Sequence, residues 1–221
     1  MIQFSHVSKY YSPNKIILNN ISFFINKGEF VCLTGPSGSG KSTIFRLIIM
    51  EEFPNSGEVT IMRYKSTNIS HKRMAELRQG LGIIFQDFKL LYDRSVFENI
   101  AFPLRLHCID QKHVKERVFK TVTEIGLNHK MYDFPKTLSA SEKQKCCIAR
   151  ALINNPSVLL ADEPTGYLDT ESSSDIINLL KQINRHGTAI LLGTHNYEMA
   201  TNIKERTLIL KEGIITNQNS R

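Results

Sequence analysis

One octapeptide constrains this chain more than any other stretch: Gly35-Pro36-Ser37-Gly38-Ser39-Gly40-Lys41-Ser42. It fits G-x-x-x-x-G-K-[ST], a phosphate-binding loop. Residues 29–34 before it read as a short buried strand, and residues 43–50 after it as the first turns of a helix. Strand, glycine loop, helix is the context the motif needs. The glycines let the backbone bend so that several N–H groups converge on one anion, and the helix N-terminus adds partial positive charge. In that geometry Lys41 reaches the β- and γ-phosphates and the Ser42 hydroxyl ligates Mg²⁺. A glycine-rich turn with a chance lysine is the bland alternative. All fixed positions matching in context weigh heavily against it.

Around this loop the chain alternates strand-like and helical segments. Residues 2–7 read as a first strand, followed by Ser8-Lys9-Tyr10-Tyr11, where an aromatic ring suits stacking on a base. Residues 16–25 alternate and read as a second strand, expected to pair through the Asn26-Lys27-Gly28 turn with the strand before the loop. A helix ending near 51–53, a strand over 58–62, a polar helix over 71–79 and a short apolar strand over 81–85 ending at Gln86 follow. Residues 95–106 and 111–125 have helical spacing, the latter through Val114, Val118, Val122 and Ile125. About 87–151 is therefore expected as a helical subdomain inserted into one α/β domain spanning 1–221. Ser139 and Glu142 fit an S-x-x-E capping box opening the next helix. Residues 157–163 form a buried strand ending in Asp162 and Glu163. After a helix over 171–185, a core strand over 188–192 exits at Gly193-Thr194-His195, and a closing hairpin is expected around Lys211-Glu212-Gly213.

A phosphate loop needs a metal partner at the end of a neighbouring core strand, and Asp162 is placed for it. Glu163 beside it suits a base that deprotonates the attacking water. Ligands of open α/β sheets bind at strand C-terminal ends, so Gln86, Asp162, Glu163 and His195 are expected to converge on the loop. Singly, Gln86 reads as a surface amide and His195 as a capping histidine; all four at strand exits argue otherwise.

Composition excludes other classes. With 221 residues, 41% of them hydrophobic, the chain can bury a large core. Cys32, Cys108 and the adjacent Cys146-Cys147 form no C-x-x-C pair, so neither a zinc site nor a disulfide framework is expected, and a reducing compartment fits. The chain opens on strand-like sequence rather than a signal peptide, and no apolar run approaches a membrane span. The net charge of +7 is scattered, with no run of five like charges and no aromatic-basic RNA motif, so nucleic acid is not expected as a partner. An ordinary solvated surface is the preferred reading, membrane proximity the second.

Along nearly its whole length the sequence resembles the ATP-binding cassette family. Residues 158–164 look like its second nucleotide motif, 138–145 its signature segment, Gln86 its glutamine loop, Leu168-Asp169 the loop that crosses the dimer, and His195 its switch histidine. The resemblance implies an α/β fold: a P-loop, RecA-like core with an N-terminal antiparallel β-subdomain and an inserted α-helical subdomain. It implies ATP and Mg²⁺ as ligands. Tyr11, with Tyr10 the less favoured choice, would stack on adenine. Gly35, Pro36, Ser37, Gly38, Ser39, Gly40, Lys41, Ser42 and Thr43 would hold the phosphates. Ser42, Gln86 and Asp162 would hold the metal, and Glu163, His195 and Gln86 would serve catalysis. It also implies a head-to-tail homodimer formed with ATP, in which Ser139, Ser141 and Asp169 of one copy complete the other's site.

A finer resemblance, through residues 85–100, Val7-Ser8-Lys9 and residues 161–166, is to the cell-division cassettes of the FtsE family. It implies a peripheral protein on the cytoplasmic face of the bacterial inner membrane, held by the membrane protein FtsX and in reach of the division ring. ATP-driven motion would pass through FtsX to peptidoglycan hydrolases, with residues 87–94 as the docking stretch. Exposure of Phe88, Leu90 and Leu91 would mark that interface. Two other readings remain open: the ATPase of a lipoprotein-release or drug-export transporter, and an ATP-gated scaffold. One departure bears on activity. The family signature Leu-Ser-Gly-Gly reads Leu138-Ser139-Ala140-Ser141 here, which leads us to expect weakened hydrolysis without loss of binding.

Overall fold

The computed structural model describes residues 1–12, 15–106 and 110–218, so Cys108 lies outside the described residues. In chain order the strands are β1 (Ile2–Ser12), β2 (Lys15–Ile25), β3 (Phe30–Thr34), β4 (Ser56–Ile61), β5 (Tyr64–Lys65), β6 (Leu81–Ile84), β7 (Val158–Asp162), β8 (Ala189–Thr194), β9 (Arg206–Lys211) and β10 (Ile214–Gln218). The helices are α1 (Lys41–Ile48), α2 (His71–Gln79), α3 (Val96–Arg105), α4 (Gln111–Ile125), α5 (Ala140–Leu152), α6 (Thr170–Arg185) and α7 (Tyr197–Asn202).

Two sheets form. One is antiparallel in the order β2-β1-β4-β5, the other runs β10-β9-β3-β8-β7-β6. In the second, β9, β3, β8, β7 and β6 are mutually parallel and only β10 is antiparallel. Side-chain patterns explain the division. Every residue of β3 and β8 is buried, as is the run Val158–Ala161 of β7, the mark of strands covered on both faces. In β2 buried and exposed residues largely alternate, which suits a sheet with one wet face. This overturns the expected pairing of β2 with β3. The β2 strand pairs with β1 instead, from Ile2↔Ile25 to Ser12↔Lys15, because a half-exposed strand has no place beside a fully buried one. The first strand is also longer than its apolar run, so Tyr10 and Tyr11 lie within β1.

One apolar cluster fills the space between the two sheets and around α1, with Phe4 stacked on Phe23 at 4.5 Å. Another lies between the long sheet and α3, α4, α5 and α6. At about 25 cal/mol per Å² of apolar surface, burial on this scale is the main stabilising term. Helices α3–α5 fall between β6 and β7 in the chain. The Ser139–Glu142 capping box forms as expected, and Ser95 with Glu98 makes a second at α3. No described helix is long and apolar enough to cross a membrane. Burial drives the Cys32, Cys146 and Cys147 thiols up to about 12, which makes them inert packing groups.

Residues 87–95 are held by α3 and α5. Fully buried Asn99 accepts from the Leu91 amide (2.8 Å) and donates to the carbonyls of Leu91, Arg94 and Ser95 at 3.0–3.2 Å. Leu90 is buried and Phe88 and Leu91 are half-buried, so none of the three is the exposed apolar residue expected of this stretch; Tyr92 alone in it is a large exposed apolar side chain, at 44%. Asn99→Ala leaves that set of backbone groups unpaired. It is expected to cost about 2 kcal/mol or more, read as a lower urea midpoint at unchanged slope.

Candidate functional site

Parallel strands deliver their C-terminal ends to one edge. There β3 runs into the glycine loop, β6 into Gln86, β7 into Asp162 and Glu163, and β8 into His195, and the four strands are adjacent in the order β3-β8-β7-β6. The loop turns into α1 through Gly40, whose φ of 108° is open to glycine and not to an L side chain. Gly193 makes the close approach possible: a Cβ there would sit 2.7 Å from the Phe45 ring and 3.3 Å from Asp162 Oδ1.

The expected residues meet in two short chains. Ser42 Oγ donates to Asp162 Oδ2 at 3.1 Å. Buried Lys41 donates to the carbonyls of Gly35 (2.7 Å) and Pro36 (3.1 Å), and its ammonium lies 3.8 Å from Glu163 Oε1. That same carboxylate oxygen is 3.0 Å from His195 Nδ1. An ionised carboxylate only accepts, so Nδ1 carries the proton in this contact. Glu163 is itself buried and sits at φ 48°, its amide bonded to the Gly193 carbonyl.

Burial shifts the charges. It pushes the Lys41 ammonium below its usual pKa, with Glu163 and Asp162 pulling the other way. It raises Asp162 above the ordinary carboxyl value. The Ser42 hydrogen bond and the Lys41 charge oppose that rise and Glu163 adds to it.

Gln86 joins Ser42, Asp162 and Tyr167 around a cavity of about 390 Å³. Glu163 and His195 border a second of about 650 Å³ on the α6–α7 side. The Tyr11 hydroxyl lies 3.4 Å from Thr43 Oγ1, beside the loop, while its neighbour Tyr10 is tied at its amide to the Asn55 side chain. Ser139 and Ser141 open α5, and neither lines these two cavities. Asp169 caps α6 by accepting from the Ser172 amide at 2.8 Å, which holds its carboxyl below the usual range.

The donors gathered here fit a polyphosphate. Among the described residues helix α1 begins with no side-chain cap and no acidic residue in its first turn, which leaves its first amides to a ligand. The Ser39 and Thr34 hydroxyls are buried without a hydrogen-bond partner among the described residues. A lysine ammonium has three donors, and two go to the loop itself. Among the described residues no group of three His, Cys, Asp or Glu could hold a metal by itself. A divalent ion here would rest on Ser42 and Asp162 with oxygens brought by the ligand, the usual Mg²⁺ arrangement.

Residues 18–166 match the ABC transporter family. The chain belongs to that family. This ABC chain is 41% identical over 221 residues, 100% of itself and 97% of the relative, to the cell division ATP-binding protein FtsE of Bacillus subtilis. It is 39% identical over 213 residues, 96% of each chain, to the protein of the same name from Escherichia coli. Among solved structures it is similar to the ATP-binding cassette MJ0796, described as a dimer in a post-hydrolysis state bound to ADP and Pi. That likeness has a TM-score of 0.89 at 32% identity and covers 100% of this chain and 99% of that one. The ABC ATPase fold expected from the motifs is thus the fold observed.

Sequence reasoning missed three groups around the ABC site: Glu52, which receives the Tyr11 hydroxyl; Gly193, which clears space for Asp162; and Arg150. From α5, Arg150 donates to the Phe88 (2.8 Å) and Lys89 (2.6 Å) carbonyls just after Gln86. Nothing in the spacing signals a side chain that acts on a backbone 60 residues away.

The shifts on Asp162 have a readable sign. A carboxyl-¹³C titration is expected to place its midpoint above 3.8, higher still in Ser42→Ala, which removes a bond to the ionised form, and lower in Glu163→Gln, which removes a like charge.

Proposed function

We propose that this chain binds and hydrolyses ATP with Mg²⁺ as one half of a head-to-tail homodimer, and that the cycle drives a cell-division membrane complex. The observation that carries the reading is the chain Lys41–Glu163–His195 alongside Ser42–Asp162 at the mouth of one uncapped helix. Lys41 and the first amides of α1 take the phosphate charge. Ser42, Asp162 and Gln86 would hold Mg²⁺, which would screen the phosphate oxygens. Glu163 accepts the proton of the attacking water as the bond between the γ-phosphorus and the β–γ bridging oxygen breaks, leaving ADP and phosphate. His195 holds the carboxylate of Glu163 in place.

The dimer reading draws support from where Ser139, Ser141 and Asp169 lie: at helix N-termini and solvent-accessible. The N-terminus of α5 in one copy would seal the phosphates of the other, as the dimeric state of the solved MJ0796 cassette suggests. The names of the FtsE relatives support cell division as the setting. On that reading an FtsX-like membrane protein holds the chain at the inner membrane and docks on residues 87–94, within a helical insert of about 87–151 in a single domain.

ATP turnover of the purified protein, alone and with the co-expressed membrane partner, tests the assignment. Glu163→Gln is expected to cut turnover by roughly 10²-fold or more while keeping ATP binding; full activity in that variant removes Glu163 as the base.

The altered signature has a separate consequence. Ala140 and Ser141 are helical, a conformation that needs no glycine, so their Cβ atoms cost the monomer nothing. Ala140→Gly with Ser141→Gly is expected to lower stability by up to about 1 kcal/mol per site and to raise single-turnover hydrolysis in the dimer. A rate equal to wild type shows that the two side chains do not hinder closure.

A further inference from the structure

Beyond Ser8, β1 loses its partner on one side. The last pairing with β4 is Ser8↔Ser56, and residues 9–12 pair only with β2. The turn after α1 takes over the open edge. The Asn55 amide donates to the Ser8 carbonyl (2.9 Å), the Asn55 side chain accepts from the Tyr10 amide (2.9 Å), and Lys9 Nζ donates to the Phe53 carbonyl (2.9 Å).

Glu52 is the hub of this seam. The Tyr11 hydroxyl donates to both of its carboxylate oxygens at 2.8 Å. Lys9 Nζ lies 3.1 Å from one, and Arg46 Nη1, from α1, 3.2 Å from the other. Burial alone would raise the Glu52 carboxyl, but bonds from Tyr11, Lys9 and Arg46 outweigh it and keep the group ionised. Lys9 also sits over the Tyr11 ring, 5.3 Å from its centroid. Tyr11 as a residue is 49% exposed, while its hydroxyl end is pinned beside Thr43, one residue past Ser42.

A flat aromatic surface that is half exposed, tethered at one end and set beside a phosphate cradle suits the base of a nucleotide. We propose that Glu52 is a positioning residue for nucleotide binding: it fixes Tyr11 through the phenolic hydroxyl, so that the ring stands ready as the platform for the base. This rests on the nucleotide site proposed above and adds the group that orients its platform. Stacking is tolerant of base identity. Glu52 therefore governs how much the base contributes to affinity, and leaves the phosphate grip to Lys41 and α1.

The test measures binding of Mg·ATP and of Mg·tripolyphosphate, which has no base, to the full chain. Glu52→Ala is expected to weaken ATP by roughly three- to ten-fold, the size of a lost charge-assisted tether, and to leave tripolyphosphate within about two-fold. Tyr11→Phe keeps the ring and loses the tether, so it is expected to match Glu52→Ala. Tyr11→Ala is expected to exceed both. The double variant Glu52→Ala/Tyr11→Phe is expected to be no weaker than either single change, since both cut the same link. Glu52→Gln, which keeps an acceptor for the hydroxyl, is expected to fall between Glu52→Ala and wild type and guards against a folding defect in the alanine variant.

Unchanged ATP affinity in Glu52→Ala overturns the proposal, as does equal weakening of tripolyphosphate, the mark of a merely structural seam. Additive losses in the double variant overturn it too. Lys41→Ala separates the two levels. If it abolishes binding of both ligands while the Glu52 series is silent, the positioning role alone falls. If wild type binds neither ligand, the nucleotide site and the positioning role fall together.

Discussion

A buried ammonium must be surrounded by oxygen, and Lys41 imposes that requirement at the centre of the fold. Desolvation opposes its charge, and two loop carbonyls and the Glu163 carboxylate answer it. Because two of its donors bind Gly35 and Pro36, the lysine also staples the start of the loop to its end. These contacts fix the curvature of the loop, and the amides at the start of α1 are aimed at one point. Pre-organisation of this kind lowers what binding must spend on ordering the site.

The parallel sheet brings the other groups to that point. A parallel strand needs a crossover to return, so each strand exit is followed by a loop at the same edge. Here four adjacent exits supply the glycine loop, an amide, two carboxylates and an imidazole. The antiparallel sheet makes a different contribution. It packs its apolar face on α1 and carries the Tyr11 hydroxyl to the first turn of the same helix, beside Thr43. Phosphate grip and base platform therefore come from separate layers, and Glu52, in the turn that follows α1, links them.

Much of this was legible because it is local. The bounds of α4 follow from apolar spacing, and the capping box at Ser139 follows from residues three apart. The site residues were legible as strand exits, which need only the end of an apolar run. Pairing partners were less so. The β2 strand was assigned to β3 because a turn joins them, but sheet membership is decided by how many faces are covered, a property of the whole fold. The short α7 escaped notice since six residues hold too little periodicity, although Asn196 caps it by accepting from the Met199 amide.

The least legible features are the backbone conformations of the site itself. Glu163 has φ 48°, and Phe88 and Lys89 form a consecutive left-handed pair at 59° and 47°. For such residues that region costs about 1 kcal/mol or more each, so local sequence argues against it. Tertiary contacts enforce it. The Gly193 carbonyl holds the Glu163 amide, and the two guanidinium nitrogens of Arg150 hold the Phe88 and Lys89 carbonyls. A planar fork is suited to gripping two adjacent carbonyls at once, and a single ammonium is not. The loop after Gln86 thereby takes its shape from α5, the helix whose N-terminus carries Ser139 and Ser141.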